Sequence, residues 1–219
     1  MKKNTFILFL FIIININIHS TTPVLYSIVL DASGSITHED FRTANDMIFD
    51  YISQLEARSF VQDTEFSMIV LMSHFGGPQD FNEAPPCIIT QQDMVDNLRN
   101  WMSITPHPQY GETAIYSALS SAYRRNMMVE NRLETEYLNV ILLITDGADN
   151  SSTKEDSEYI QSIFPTDEAL VFIIGVGNGA DVGEFVRYAD NVTTVNNFRD
   201  IEFQEIVIPG LRQAVFGSN

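Results

Sequence analysis

Asp31, Ser33 and Ser35 stand in the pattern Asp31-Ala32-Ser33-Gly34-Ser35, directly after the apolar run Val24 to Leu30. All three side chains offer hard oxygen donors. Such donors suit Mg²⁺, Mn²⁺ or Ca²⁺ rather than zinc or copper. The alternate spacing places three oxygens on one tight loop, and Gly34 leaves that loop free to take an unusual backbone angle. Two later segments have the same character. Leu138 to Thr145 is a second apolar run and ends at Asp146-Gly147. Between the two, Gly111-Glu112-Thr113-Ala114 opens a helical pattern. Each of the three segments carries oxygen ligands and a glycine, and two of them lie where apolar runs end.

The chemistry depends on where those loops sit. A β-branched, apolar run of this length reads as a strand covered on both faces, as in a parallel sheet. Ligand sites of open α/β sheets lie at the carboxyl ends of such strands. Further strands are expected at Phe66–Met72, Ala169–Val176 and Val192–Val195, with a short edge strand in Ala84–Ile89. Phe41, Ala44, Ile48, Ile52 and Leu55 recur at helical spacing, opened by the capping pattern Thr37-x-x-Asp40. Thr90 is expected to cap a helix carrying Met94, Val95, Leu98, Trp101 and Met102. Ile115, Ala118, Leu119 and Ala122 mark another, and Ser152-x-x-Glu155 opens one that Pro165 ends. Val182, Phe185 and Val186 mark a short helix. Ile201–Phe216 reads as a last helix, which Pro209-Gly210 should kink or divide.

This alternation predicts an α/β fold: a doubly wound, mostly parallel sheet with helices on both faces and one short antiparallel edge strand.

The three oxygen-bearing loops, in this order, resemble the metal-ion-dependent adhesion site of von Willebrand factor type A domains. The resemblance runs from about Val24 to Phe216. It implies that Ser33, Ser35 and Thr113 coordinate the metal directly and that Asp31 and Asp146 act mostly through bound waters. It also implies an open coordination position for a carboxylate from a partner protein. Mg²⁺ is the expected ion, with Mn²⁺ or Ca²⁺ as alternatives. Physically, a dication held by neutral hydroxyls keeps much of its charge for an external anion, whereas a Ca²⁺ storage site packs several carboxylates around the ion.

Met1-Lys2-Lys3 followed by the apolar stretch from Phe6 reads as a secretory signal peptide over residues 1–20, with cleavage after Ser20. One domain over residues 22–217 remains. The net charge is −17, and −19 once Lys2 and Lys3 are lost. Such a charge argues against nucleic acid and anionic lipid as partners and for solubility. The run is too short and too interrupted to span a membrane. Cys87 is the one cysteine, expected as a small buried residue. Asn150-Ser151-Ser152 and Asn191-Val192-Thr193 are candidate glycosylation sequons, both expected in surface loops.

Other constellations carry less. Gly175-Val176-Gly177-Asn178-Gly179-Ala180 has the form of a dinucleotide fingerprint but comes late in the chain, and reads as a tight turn. His38, His74 and His107 show no zinc spacing and are expected in loops or at the surface. Met127-Met128 is expected in the core. There is no nucleophile elbow, and no EF-hand loop. The sequence thus predicts a secreted, non-enzymatic, cation-dependent adhesion or recruitment module for a partner presenting Asp or Glu. A metal-assisted hydrolase and a metal-independent interaction module are the alternatives.

Overall fold

A computed structural model describes residues 23–56, 68–164 and 169–210. The expected signal segment, Phe66-Ser67, Pro165 and residues 211–216 of the expected last helix lie outside the described residues.

Among the described residues, seven strands form one sheet. They are β1 (Val24–Asp31), β2 (Met68–Phe75), β3 (Phe81–Glu83), β4 (Cys87–Ile88), β5 (Leu138–Thr145), β6 (Leu170–Val176) and β7 (Asn191–Val195). The order is β3-β2-β1-β5-β6-β7, with β4 also on β2. β1 pairs in parallel with β2 and β5, and the parallel pairing continues through β6 to β7. The helices are α1 (His38–Glu56), α2 (Gln92–Ile104), α3 (Ile115–Leu133), α4 (Lys154–Ile163) and α5 (Phe203–Ile206), with a 3₁₀ segment at Gly183–Arg187. The doubly wound α/β fold read from the sequence is the fold of the protein.

Alternation along the strands divides the core in two. Tyr26, Ile28, Leu30, Leu142 and Ile144 pack with Phe41, Ile48, Ile52, Val95 and Leu98 on one face. Val29, Ile141, Leu143 and Ile173 pack with Ile115, Leu119, Ile160 and Phe185 on the other. All eight residues of β1 are buried, because helices cover both faces of this central strand.

The chain leaves β1 toward β2 and later returns to β5 on the opposite side of β1. The strand order therefore reverses at the carboxyl ends of β1 and β5. A crevice at such a switch point is the usual place for a ligand.

Several local expectations change. The antiparallel edge is two short strands, β3 and β4, each on β2. Pro85-Pro86 separates them, since proline has no N–H for a ladder. The α2 N-cap is Gln91 rather than Thr90, and its side chain makes no cap bond. The α4 N-cap is Thr153, which accepts from the Asp156 N–H at 3.1 Å. Ser152 is drawn away by Asp149, to which its hydroxyl donates. The last helix is divided as expected: it breaks after Ile206 and helical backbone resumes at 208. Proline at 209 cannot donate to the carbonyl four residues back, which accounts for the division. Met128 is exposed, on the solvent side of α3, while Met127 packs against the core. Asn191 begins the edge strand β7 instead of lying in a loop.

Candidate functional site

Asp31 is the last residue of β1 and is fully buried. Its Oδ1 accepts the Ser33 backbone N–H at 2.8 Å. Its Oδ2 accepts the Thr145 hydroxyl at 2.6 Å. The parallel register of β1 and β5, with Leu30 beside Ile144, sets Asp31 next to Thr145. Burial pushes the Asp31 carboxyl up to about 6, against the lowering effect of the Thr145 and Ser33 bonds; the Asp146 charge adds to the rise.

Ser33 is buried and Ser35 exposed, with their hydroxyl oxygens 2.9 Å apart. The Ser35 hydroxyl donates to Asp146 Oδ1 at 2.8 Å. Burial raises the half-buried Asp146 carboxyl, and the Ser35 bond opposes that rise. The two strand-end loops are thus joined through one hydroxyl. Gly179 approaches the same loop, where an added Cβ would lie 3.1 Å from the Asp146 carbonyl.

Thr113 is buried just before α3 and reaches the Asp146 loop at Gly147. A Cβ on Gly147 would stand 3.1 Å from Thr113 Oγ1, so glycine permits the approach. Two contacts place the segment leading to Thr113. The Tyr110 N–H donates to the Ala32 carbonyl at 3.0 Å, and the Ala114 N–H to the Gly76 carbonyl at 2.8 Å. Tyr110 lies across Gly76, where a Cβ would be 2.0 Å from the tyrosine Cβ.

The structure therefore brings all five sequence-expected residues together at the carboxyl ends of β1 and β5. Sequence reasoning missed Thr145 as the partner of Asp31. It also missed Asn150, whose backbone N–H and side-chain oxygen both bond to Thr113. Among the described residues, no three His, Cys, Asp or Glu side chains gather where they could hold a metal. The crevice instead offers two carboxylates and three hydroxyls.

Two histidines are not surface residues. His74 and His107 are buried, and among the described histidines only His38 is exposed. His74 stacks on Trp101 with centroids 4.8 Å apart and meets Phe41 edge-on at 4.7 Å. His107 lies against the other side of this group, 4.7 Å from Phe41. Cys87 is buried, as expected. The turn at Gly175–Ala180 is tight, with Gly177 at a φ of +79°. No helix among the described residues is long and apolar enough to cross a membrane.

Comparison with solved structures places this arrangement among known folds. Proximal thread matrix protein 1 from the mussel byssus superposes with a TM-score of 0.59 at 17% identity, over 84% of this chain and 46% of that chain. A second crystal form gives 0.60 at 16% identity, over 86% and 47%. The pilus adhesin SpaC from Lactobacillus rhamnosus GG, in an open conformation, gives 0.60 at 10% identity, over 82% and 28%. The chain spans less than half the length of these structures. No curated protein matches it. The family model of the von Willebrand factor type A domain matches residues 27–209, a span that holds every residue of the crevice. The chain belongs to the von Willebrand factor type A domain family.

Proposed function

We propose that this protein is a secreted, divalent-cation-dependent adhesion or recruitment module. Asp31, Ser33, Ser35, Thr113 and Asp146 would hold a Mg²⁺ ion, with Mn²⁺ or Ca²⁺ as substitutes. The partner would be a protein presenting an Asp or Glu carboxylate. Membership of the family supports a protein-interaction module, and the finer reading rests on the crevice.

The observation that carries it is the Ser33–Ser35–Asp146 chain of short oxygen contacts above the buried Asp31. This donor set fits a hard dication in type. Its charge fits as well. Two carboxylates share the crevice, and among the described residues neither is ion-paired to Lys or Arg. Asp31 is held in a place that raises its proton affinity, where a nearby cation would favour the ionised form. A bound dication would supply Lewis acidity and an open position for an external carboxylate.

The residues of the chain do the positioning. Asp31 fixes the Ser33 backbone, Thr145 fixes Asp31, and Ser35 couples the first loop to Asp146. Because the three first-loop and helix-start donors are neutral hydroxyls, little of the ion's charge would be cancelled before a partner arrives. Export from the cell would also open Asn150 and Asn191 to glycosylation.

The test is affinity capture from the native secretion environment on immobilised protein, with Mg²⁺ and then with chelator. The proposal expects a partner retained in Mg²⁺, released by chelator, and absent on a Thr113→Ala surface. A partner bound equally well in chelator would overturn the metal-dependent reading.

A further inference from the structure

Resting on that reading of the crevice, we infer that Asn150 is a positioning residue of the site, acting through Thr113. Both polar groups of the Thr113 backbone bond to one residue of another loop. Its N–H donates to Asn150 Oδ1 at 3.0 Å, and its carbonyl accepts the Asn150 N–H at 2.9 Å. The two bonds close a ring between one side chain and two backbones. A single bond would let the Thr113 peptide swing; two bonds at opposite ends of one residue fix its plane, and with it the direction of the Cα–Cβ bond.

The ring ties the loop of Asp146 to the loop of Thr113. Asn150 lies four residues after Asp146, and Gly147 sits between them in contact range of Thr113. The same loop completes the start of α3. Ala114, at the N-cap of α3, has no side chain that can accept the first orphan N–H groups. Asp149 Oδ1 accepts the Tyr116 N–H at 3.4 Å, and Ser152 Oγ accepts the Ser117 N–H at 3.0 Å. The helix start is thus capped from the β5–α4 loop, and Asn150 is the member of that loop aimed at a candidate ligand.

Outer partners of this kind orient metal ligands, and their removal costs roughly 10–100-fold in metal affinity. Asn150 does not touch the candidate ion's donors directly, so its effect must pass through Thr113. This gives a signature that a merely structural residue would lack. Asn150→Ala should weaken Mn²⁺ binding by about tenfold in the otherwise native chain. In a Thr113→Ala background, which retains the other four donors, the same substitution should cost almost nothing.

The test uses protein from a non-glycosylating host and two measurements. In chelator, amide exchange at Thr113 should accelerate at least about tenfold in Asn150→Ala, as expected for a lost hydrogen bond. Asn150→Asp keeps the acceptor at the same reach and should exchange at the native rate. Asn150→Gln moves the acceptor one methylene outward and should behave like Ala, which keeps the test available if Asn150→Ala does not fold. Calorimetric titration with Mn²⁺ then completes the double-mutant cycle. Native binding with an additive cycle, or unchanged Thr113 exchange in both Ala and Gln variants, overturns the role of Asn150 alone. A native chain that takes up no Mn²⁺ overturns both this role and the metal reading beneath it.

Discussion

Thr145 Oγ1 donates to Asp31 Oδ2 across 2.6 Å, joining the ends of the two strands that bound the crevice. The bond ties a fully buried carboxylate to a fully buried hydroxyl. Removing the donor leaves the acceptor with its desolvation cost uncompensated.

Thr145→Val keeps the shape of the side chain and deletes this donor. The expected loss of stability in chelator is about 1–3 kcal/mol, the cost of stranding a buried polar group. Urea denaturation of the two proteins measures it. Equal midpoints would show that the Asp31 carboxyl is not sustained by this bond.

Gly76→Ala should be destabilising by about 1–3 kcal/mol, because the new Cβ would stand 2.0 Å from Tyr110 Cβ. The displaced tyrosine heads the segment that ends at Thr113, so Mn²⁺ affinity should fall with stability. Thermal melts and a Mn²⁺ titration on the same sample check both. Gly111→Ala is the control, since nothing lies within 4 Å of a Cβ there.

Thr113→Ala removes a hydroxyl from the crevice but leaves both backbone bonds to Asn150 available. Mn²⁺ affinity should drop about tenfold or more while the melting temperature in chelator barely moves. Thr113→Ser restores the oxygen and should restore most of the affinity. Loss of affinity in the serine variant equal to that in alanine would show that the hydroxyl is not the relevant group.

His74 gives the protein a defined acid sensitivity. Burial, with His107 adding to it, holds its imidazole down at about 3 from the usual 6.5. Asn45 Nδ2 donates to the Phe41 carbonyl, so Asn45 Oδ1 faces His74 and takes its Nε2–H at 3.1 Å. The unfolded chain binds this proton below about pH 6.5 and the folded chain does not. Stability therefore falls as the pH drops from about 6.5 toward 3, by up to about 1.4 kcal/mol per pH unit from this group. Against His74→Gln, the native protein should lose stability more steeply over that window and run parallel above it. Parallel curves throughout would place the His74 proton in solvent contact.

The fold was legible where burial is uniform. Val24–Leu30 and Leu138–Thr145 read as central strands because covered parallel strands need apolar residues on both faces. The candidate ligands were legible because oxygen-bearing residues with glycine follow those strands. What escaped was decided by distant partners. β3 is three residues whose pairing with β2 supplies an order that its own pattern does not. Ser152 met the local rule for a helix cap, but Asp149 and the Ser117 N–H engage its hydroxyl and Thr153 caps instead. β2 runs past its expected end at Met72 to Phe75 and so buries His74, which Asn45, Phe41 and Trp101 make tolerable. Asn150 was visible only as a sequon, because its bonds to Thr113 span 37 positions.

The central claim is that the crevice binds a dication through oxygen donors organised by Asp31. Calorimetric titration of Mn²⁺ into the native protein and into Asp31→Ala tests it most directly. The account predicts one saturable site in the native protein and a loss of affinity of roughly 10–100-fold in the variant. Equal affinity in the two proteins would contradict it.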